Sequence, residues 1–105
     1  MRKISIENYN LKVVRDGVHT SIPYDVKASL IICLLHPSLK LGARDLLVRN
    51  KIGMKIEEAD GFVLLEETEY TKLKSAVETI EGFGQNDVEL VTRVLEAEEV
   101  EVEVK

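Results

Sequence analysis

"IPYDVKASLIICLLHP", residues 22–37, is where the chain changes period. Before it, apolar and polar residues alternate as they do along strands. Within it they crowd together at helical spacing, and Asp25 stands where a carboxylate can accept from the first free backbone N–H groups of a helix. The predicted helix runs from Val26 to about Leu35. Pro37 stops it, because a proline disfavours helical geometry at the residue before it and has no N–H of its own to donate. Its second half, "LIICLL" at 30–35, is apolar on every side and is expected to be the central core helix.

Working back towards the N-terminus, "KISIE" (3–7) places Ile4 and Ile6 on one face, and "LKVVR" (11–15) follows after the polar turn "NYN". Asp16-Gly17 then separates "LKVVR" from "VHTSI" (18–22). A two-residue Asp-Gly link suits a type I′ turn, since both central residues need positive φ. This quarter is expected to be a three-strand antiparallel β-meander.

Towards the C-terminus, a second helix is predicted within "LGARDLLVRNKIGMKIEEAD" (41–60), with Gly53 weakening its middle or ending it. "FVLL" (62–65) is a short apolar run of buried-strand type. Tyr70, Leu73, Val77 and Ile80 mark one face of a further helix that stops at Gly82. Asn86 followed by Glu89 resembles a capping box, and Val88, Val91 and Leu95 form the apolar stripe of a last helix. Val77 and Leu95 are expected to share one core with Leu30 and Leu34. The period returns to two over residues 99–104. The predicted fold class is α+β, a single domain over 1–105 with strands at both ends and helices between.

Composition bounds the function. At 105 residues, 45% hydrophobic and 31% charged, the chain has globular rather than disordered composition. It has no Trp and five aromatic residues, so its core is aliphatic. Cys33 is the sole cysteine, which excludes an internal disulfide and a four-cysteine metal site and suits a reducing compartment. No apolar run has the length of a signal peptide or a membrane span, so a soluble cytoplasmic protein, or a virion component, is expected. Residues 1–53 carry nine Lys/Arg against four Asp/Glu, and residues 54–105 carry five against fifteen. Such a split can be neutralised within one subunit or between the basic side of one copy and the acidic side of the next.

No constellation spells out a reaction. Cys33 and His36 face the same way on the first helix, but further ligands or a base are missing, and a structural core cysteine beside a helix-terminal histidine is expected. "GFG" (82–84) has the spacing of a phosphate loop but follows a helix rather than a strand; Gly82 is read as a C-cap and Phe83 as tucked into the core. Glu57-Glu58, Glu66-Glu67-Glu69 and Glu98-Glu99 are read as solvated element ends. No catalytic residue, cofactor or metal is assigned. Lys40, Arg44, Lys51 and Lys55 make a short basic stripe, which keeps a DNA-binding regulator using the 40–55 helix region as one alternative; the acidic C-terminal half opposes it.

The expected interaction surface is the tail "EAEEVEVEVK" (96–105). Glu99, Glu101 and Glu103 line one face of its strand and Val100, Val102 and Val104 the other, so the valines can be buried while the acids stay wet. Pairing with the basic N-terminal strands is expected, either within one chain, closing a four-strand sheet, or by donation to a neighbour.

Residues 63–100 and 22–41 together resemble small open reading frames of tailed-phage and prophage gene clusters. That resemblance implies a small virion or assembly component, or an accessory factor acting on host proteins, and assigns no site residue. The expected function is a non-enzymatic interaction or assembly protein whose partner is protein, itself or another assembly component, rather than nucleic acid or membrane. An acidic inhibitor imitating nucleic acid is the other alternative.

Overall fold

A computed structural model describes residues 1–101 of the chain. In β1 (Arg2–Ser5), Ile4 points inward, and Ile6 follows it just past the strand end; both are buried. β1 is the middle strand of an antiparallel sheet, flanked by β4 (Phe62–Leu65) and β5 (Glu98–Glu99). Ile4 lies opposite Val63 and Arg2 opposite Leu65. Directly opposed residues share a face. Val63 and Leu65 therefore join Ile4 on the inner face, while Lys3, Ser5, Phe62 and Leu64 form the outer one.

The α+β class stands, with strands first, helices in the middle and a strand at the C-terminal side. The three-strand N-terminal meander does not. β2 (Tyr9–Arg15) and β3 (Val18–Tyr24) pair only with each other, as a separate ribbon. The cause lies at residues 6–8. The Ile6 N–H donates to the Gly61 carbonyl at 3.1 Å, and the Asn8 side-chain oxygen accepts from the Val26 N–H at 3.0 Å, so the chain leaves the sheet at Asn8. The wholly apolar "FVLL" then covers β1 more completely than the mixed β2 can. The ribbon closes through Asp16 and Gly17 with φ of 50° and 77°, the pair of positive angles that a type I′ turn requires.

α1 (Val26–Leu34) begins where expected, with the Asp25 carboxylate accepting from the Ala28 N–H at 3.0 Å. It buries Val26, Leu30, Cys33 and Leu34, but Ile32 is 61% exposed, so the helix is not enclosed on all sides. After a 3-10 turn at Pro37–Leu39, α2 (Ala43–Glu58) passes through Gly53 without a break. A Cβ there would lie 3.6 Å from the Ile31 side chain, ordinary van der Waals contact, so the packing against α1 does not itself require a glycine. α3 (Glu67–Thr79) buries Tyr70, Leu73 and Val77 and ends with Ile80 as its cap; Gly82, at φ +99°, turns the chain two residues later.

A second 3-10 turn, Gln85–Asp87, leads into α4 (Val88–Leu95). Asn86 is not the cap that the sequence pattern suggests. The Asp87 carboxylate takes the local backbone donor instead, accepting from the Gly84 N–H at 2.8 Å. Nor is the expected stripe the buried one: Leu90 and Val94 enter the core, whereas Val88 is 60% and Leu95 38% exposed. Leu95 therefore does not share the core of Val77, Leu30 and Leu34. That core is one aliphatic cluster between the inner sheet face and the four helices, with Ile52, Ile56, Leu73 and Leu90 among its members.

Candidate interaction surface

Two tyrosines hold the ribbon to the body. Tyr9 and Tyr24 lie directly opposite in the β2–β3 register and their rings stack, with centroids 4.6 Å apart. The Tyr9 hydroxyl donates to the Asn86 carbonyl at 2.9 Å, and that of Tyr24 donates to Asp87 Oδ1 at 2.6 Å. Burial and the Asp87 hydrogen bond raise the Tyr24 phenol far above its ordinary value, so it stays a donor at neutral pH. The Arg93 guanidinium lies 5.2 Å from the Tyr9 ring centroid and donates to the Glu7 carbonyl at 2.7 Å, tying α4 to the root of the ribbon.

Beyond the tyrosines the ribbon leaves the body. Every residue of β3 from Val18 to Pro23 is exposed. The radius of gyration is 15.0 Å, and the longest extent is 52 Å. A closed domain of this size has a radius of about 13 Å. Because opposed residues share a face, Leu11 and Ile22 continue the side on which Tyr9 and Tyr24 sit, and Val18 carries it to the tip. Asn10, Lys12, Val14, His19, Ser21 and Pro23 occupy the reverse. Both sides of the projecting ribbon thus carry exposed apolar side chains, Ile22 at 42% and Val18 at 61% on the tyrosine side and Val14 at 60% on the reverse. A two-stranded ribbon has only marginal stability in water by itself.

The tyrosine side overlooks a groove. A hollow of about 450 Å³ lies between β2 and the start of α4, with Tyr9, Leu11 and Val88 among its walls. It shares Gln85 and Val88 with a hollow of about 420 Å³ that adds Phe83 and Val91. Phe83 in turn walls a third, of about 250 Å³, together with Ile32, Cys33 and Leu90. Apolar side chains therefore run from Leu11 through Val88 and Phe83 to Ile32. Glu81, Asp87 and Glu89 stand in the walls of these hollows, as does Lys12.

The tail residues named from sequence lie elsewhere, on the far edge of the sheet. β5 pairs within its own chain, Arg2 opposite Glu99 and Lys3 opposite Glu98; the Val100 N–H donates to the Met1 carbonyl at 2.7 Å, and the Met1 amino group donates to the Val100 carbonyl at 3.1 Å. The described strand thus starts one residue earlier than expected, and it completes a three-stranded sheet rather than a four-stranded one. Val100 is half-buried; Glu99 and Glu101 are exposed, and an Arg2 Nη lies 3.9 Å from Glu99. Val102, Glu103 and Val104 lie outside the described residues.

The other candidates are dispersed. Cys33 is buried, and desolvation, then the charge of Asp87, push its thiol up to about 11, which leaves it protonated and unreactive at neutral pH. His36 Nδ1 meets Ser38 Oγ at 2.7 Å. Phe83 does not tuck into the core; it is 36% exposed and walls the groove. Of the basic stripe, Lys55 donates to Glu69 at 2.9 Å, while Leu47 and Met54 are exposed on the same helix. Among the described residues no group of three metal-ligating side chains converges, and no helix is long and apolar enough to cross a membrane.

Compared with known proteins, the chain matches no family model, no curated protein and no solved structure. Sequence reasoning found the ribbon's turn but not its exposed apolar side chains, because the side chains that would have covered a meander's faces belong to other elements. The signal available was Tyr9, Leu11, Ile22 and Tyr24, which fall on one face once Asp16-Gly17 is taken as the turn.

Proposed function

We propose that this chain is a non-enzymatic interaction and assembly protein that acts by self-association, with the β2–β3 ribbon as its docking element. The observation that carries this reading is the ribbon itself: an anchored, projecting arm with the apolar side chains of Val14, Val18 and Ile22 left exposed by its own chain. Exposed apolar patches and open strand edges favour association with another polypeptide. The basic first half and acidic second half of the chain allow copies to attract one another. The likeness of residues 63–100 to small phage open reading frames supports a virion or its construction as the setting. The 40–55 region offers less to DNA, since Lys55 is held by Glu69, and Arg49 is buried with its Nε 3.3 Å from Asp45.

Mass in solution tests the reading, measured by light scattering over a range of protein and salt concentrations. The native chain is expected to exceed monomer mass, and the double substitution Val18→Glu/Ile22→Glu to return it to monomer. A native chain that stays monomeric throughout overturns the proposal.

A further inference from the structure

We infer that the β2–β3 ribbon is a hinged arm that undocks from the body as one unit, released by a latch made of Tyr9, Tyr24 and Asp87; this goes beyond the self-association reading and does not depend on it. The core stops on either side of the arm at Ile6 and Val26, which are 3% and 0% exposed. Between them no described side chain is buried, and only Tyr9, Leu11 and Tyr24 are half-buried. The two points where the arm meets the body are fixed from the body's side: the Asn8 side chain accepts from the Val26 N–H, and the Asp25 carboxylate from the Ala28 N–H, each at 3.0 Å. A hinge therefore lies at each crossing, between Asn8 and Tyr9 and between Tyr24 and Asp25.

The latch is confined to one place. The acceptors of the two hydroxyls, the Asn86 carbonyl and Asp87 Oδ1, belong to consecutive residues, and the cation beside Tyr9, Arg93, lies on the helix that follows them. Asp87 is held ready for Tyr24, because its other oxygen accepts from the Gly84 N–H at 2.8 Å. The same two rings also join strand to strand, stacked at the root of the ladder. Letting go of the body therefore loosens the pair that closes the root, and a two-stranded ribbon has little stability of its own. Docking and strand pairing rise and fall together, which makes the arm one cooperative unit apart from the core. Undocking also takes Tyr24 from the wall of the hollow lined by Cys33 and Leu90, and Tyr9 from the wall of the one lined by Val88, so the root of the arm is a lid on both.

Amide hydrogen exchange of the native chain, resolved by residue, tests the latch. The amides of residues 10–22 are expected to exchange through a common opening that is far more frequent than the one releasing Leu30 and Leu73, and that responds weakly to urea because it uncovers little surface. Tyr24→Phe keeps the ring and its stack but removes the donor to Asp87. It is expected to speed exchange across the ribbon by about tenfold, the factor carried by a hydrogen bond to a charged acceptor. Ile56→Val, a mild change at a core site that is 0% exposed, is expected to speed Leu30 and Leu73 several-fold and to leave the ribbon rates unchanged, since the core stays folded while the arm is undocked. If the ribbon and core amides share one opening with the same urea dependence, if Ile56→Val speeds both alike, or if Tyr24→Phe leaves the ribbon rates as they are, the inference is overturned. Dilution keeps this test apart from that of self-association: latch-governed rates are the same at every protein concentration, whereas ribbon protection that falls on dilution and ignores Tyr24→Phe comes from a second copy, so that this inference falls and the self-association reading survives.

Discussion

Leu90 and Leu95 sit five residues apart on α4, and truncating each to alanine should have different costs. Leu90 is 1% exposed and belongs to the core cluster; Leu95 is 38% exposed. Removing three carbons at about 0.8 kcal/mol each forfeits about 2.4 kcal/mol of transfer free energy at a fully buried site. Leu90→Ala also leaves a cavity between α4 and its neighbours, which brings the expected loss to about 3–4 kcal/mol, within the usual range for buried leucines. Leu95→Ala forfeits about three-fifths of the transfer part, about 1.5 kcal/mol, and leaves no cavity because solvent fills the space. Urea denaturation followed by circular dichroism measures both, with the loss read from the midpoint at unchanged slope. In melting temperature, the expected gap of about 2 kcal/mol corresponds to about 8–16 °C for a domain of this size. Equal losses from the two variants, or a larger one from Leu95→Ala, would refute the placement of α4.

Four further outcomes are expected. Gly53→Ala should raise stability by about 0.5–1 kcal/mol in the same assay, because the added methyl meets Ile31 at ordinary contact distance and alanine favours a helix interior. Cys33 should react with a thiol reagent only on unfolding, so the alkylation rate of the native protein at neutral pH should be far below that of a free cysteine. Asp45 is held below its usual 3.8 by the hydrogen bond from Lys72 at 2.7 Å and by Arg49. Its contribution is therefore present above about pH 4 and is lost as pH falls through the lower folded-state value, so native and Asp45→Asn proteins should differ in melting temperature at neutral pH and converge in strong acid. Deleting residues 98–105 should lower stability without changing solution mass, with the Val100 amide slow to exchange in the intact protein; fast exchange at Val100 would contradict the pairing with Met1.

What could be foreseen from the sequence was local. Asp25, Pro37 and the change of period between them define α1 within a few residues. Asp16-Gly17 defines its turn through a backbone requirement that no distant contact can alter. What could not be foreseen were choices between competing tertiary partners. β1 had two apolar candidates, "LKVVR" and "FVLL", and nothing in its own alternation prefers one. On α4, Val88, Val91 and Leu95 are as well spaced for burial as Leu90 and Val94, and the decision came from where α3 and β1 lie. The ribbon's projection had the same origin: it follows from β1 selecting another neighbour, which left β2 and β3 with only their tyrosines on the body.

The middle strand of the sheet also sets an order of events in time. Met1 and Val100, hydrogen-bonded to each other, are separated by 99 positions, whereas Arg15 and Val18 at the ribbon's tip are separated by three. By the logarithmic cost of closing a flexible loop, the first pairing is disfavoured by about 3 kcal/mol relative to the second before any contact rewards it. The ribbon and helices therefore form early, while β1 stays incomplete until β5 has emerged. Through that interval Arg2 and Lys3 sit on an unfinished edge, and a nascent chain is most prone to wrong pairings at the very strand that becomes the centre of its sheet.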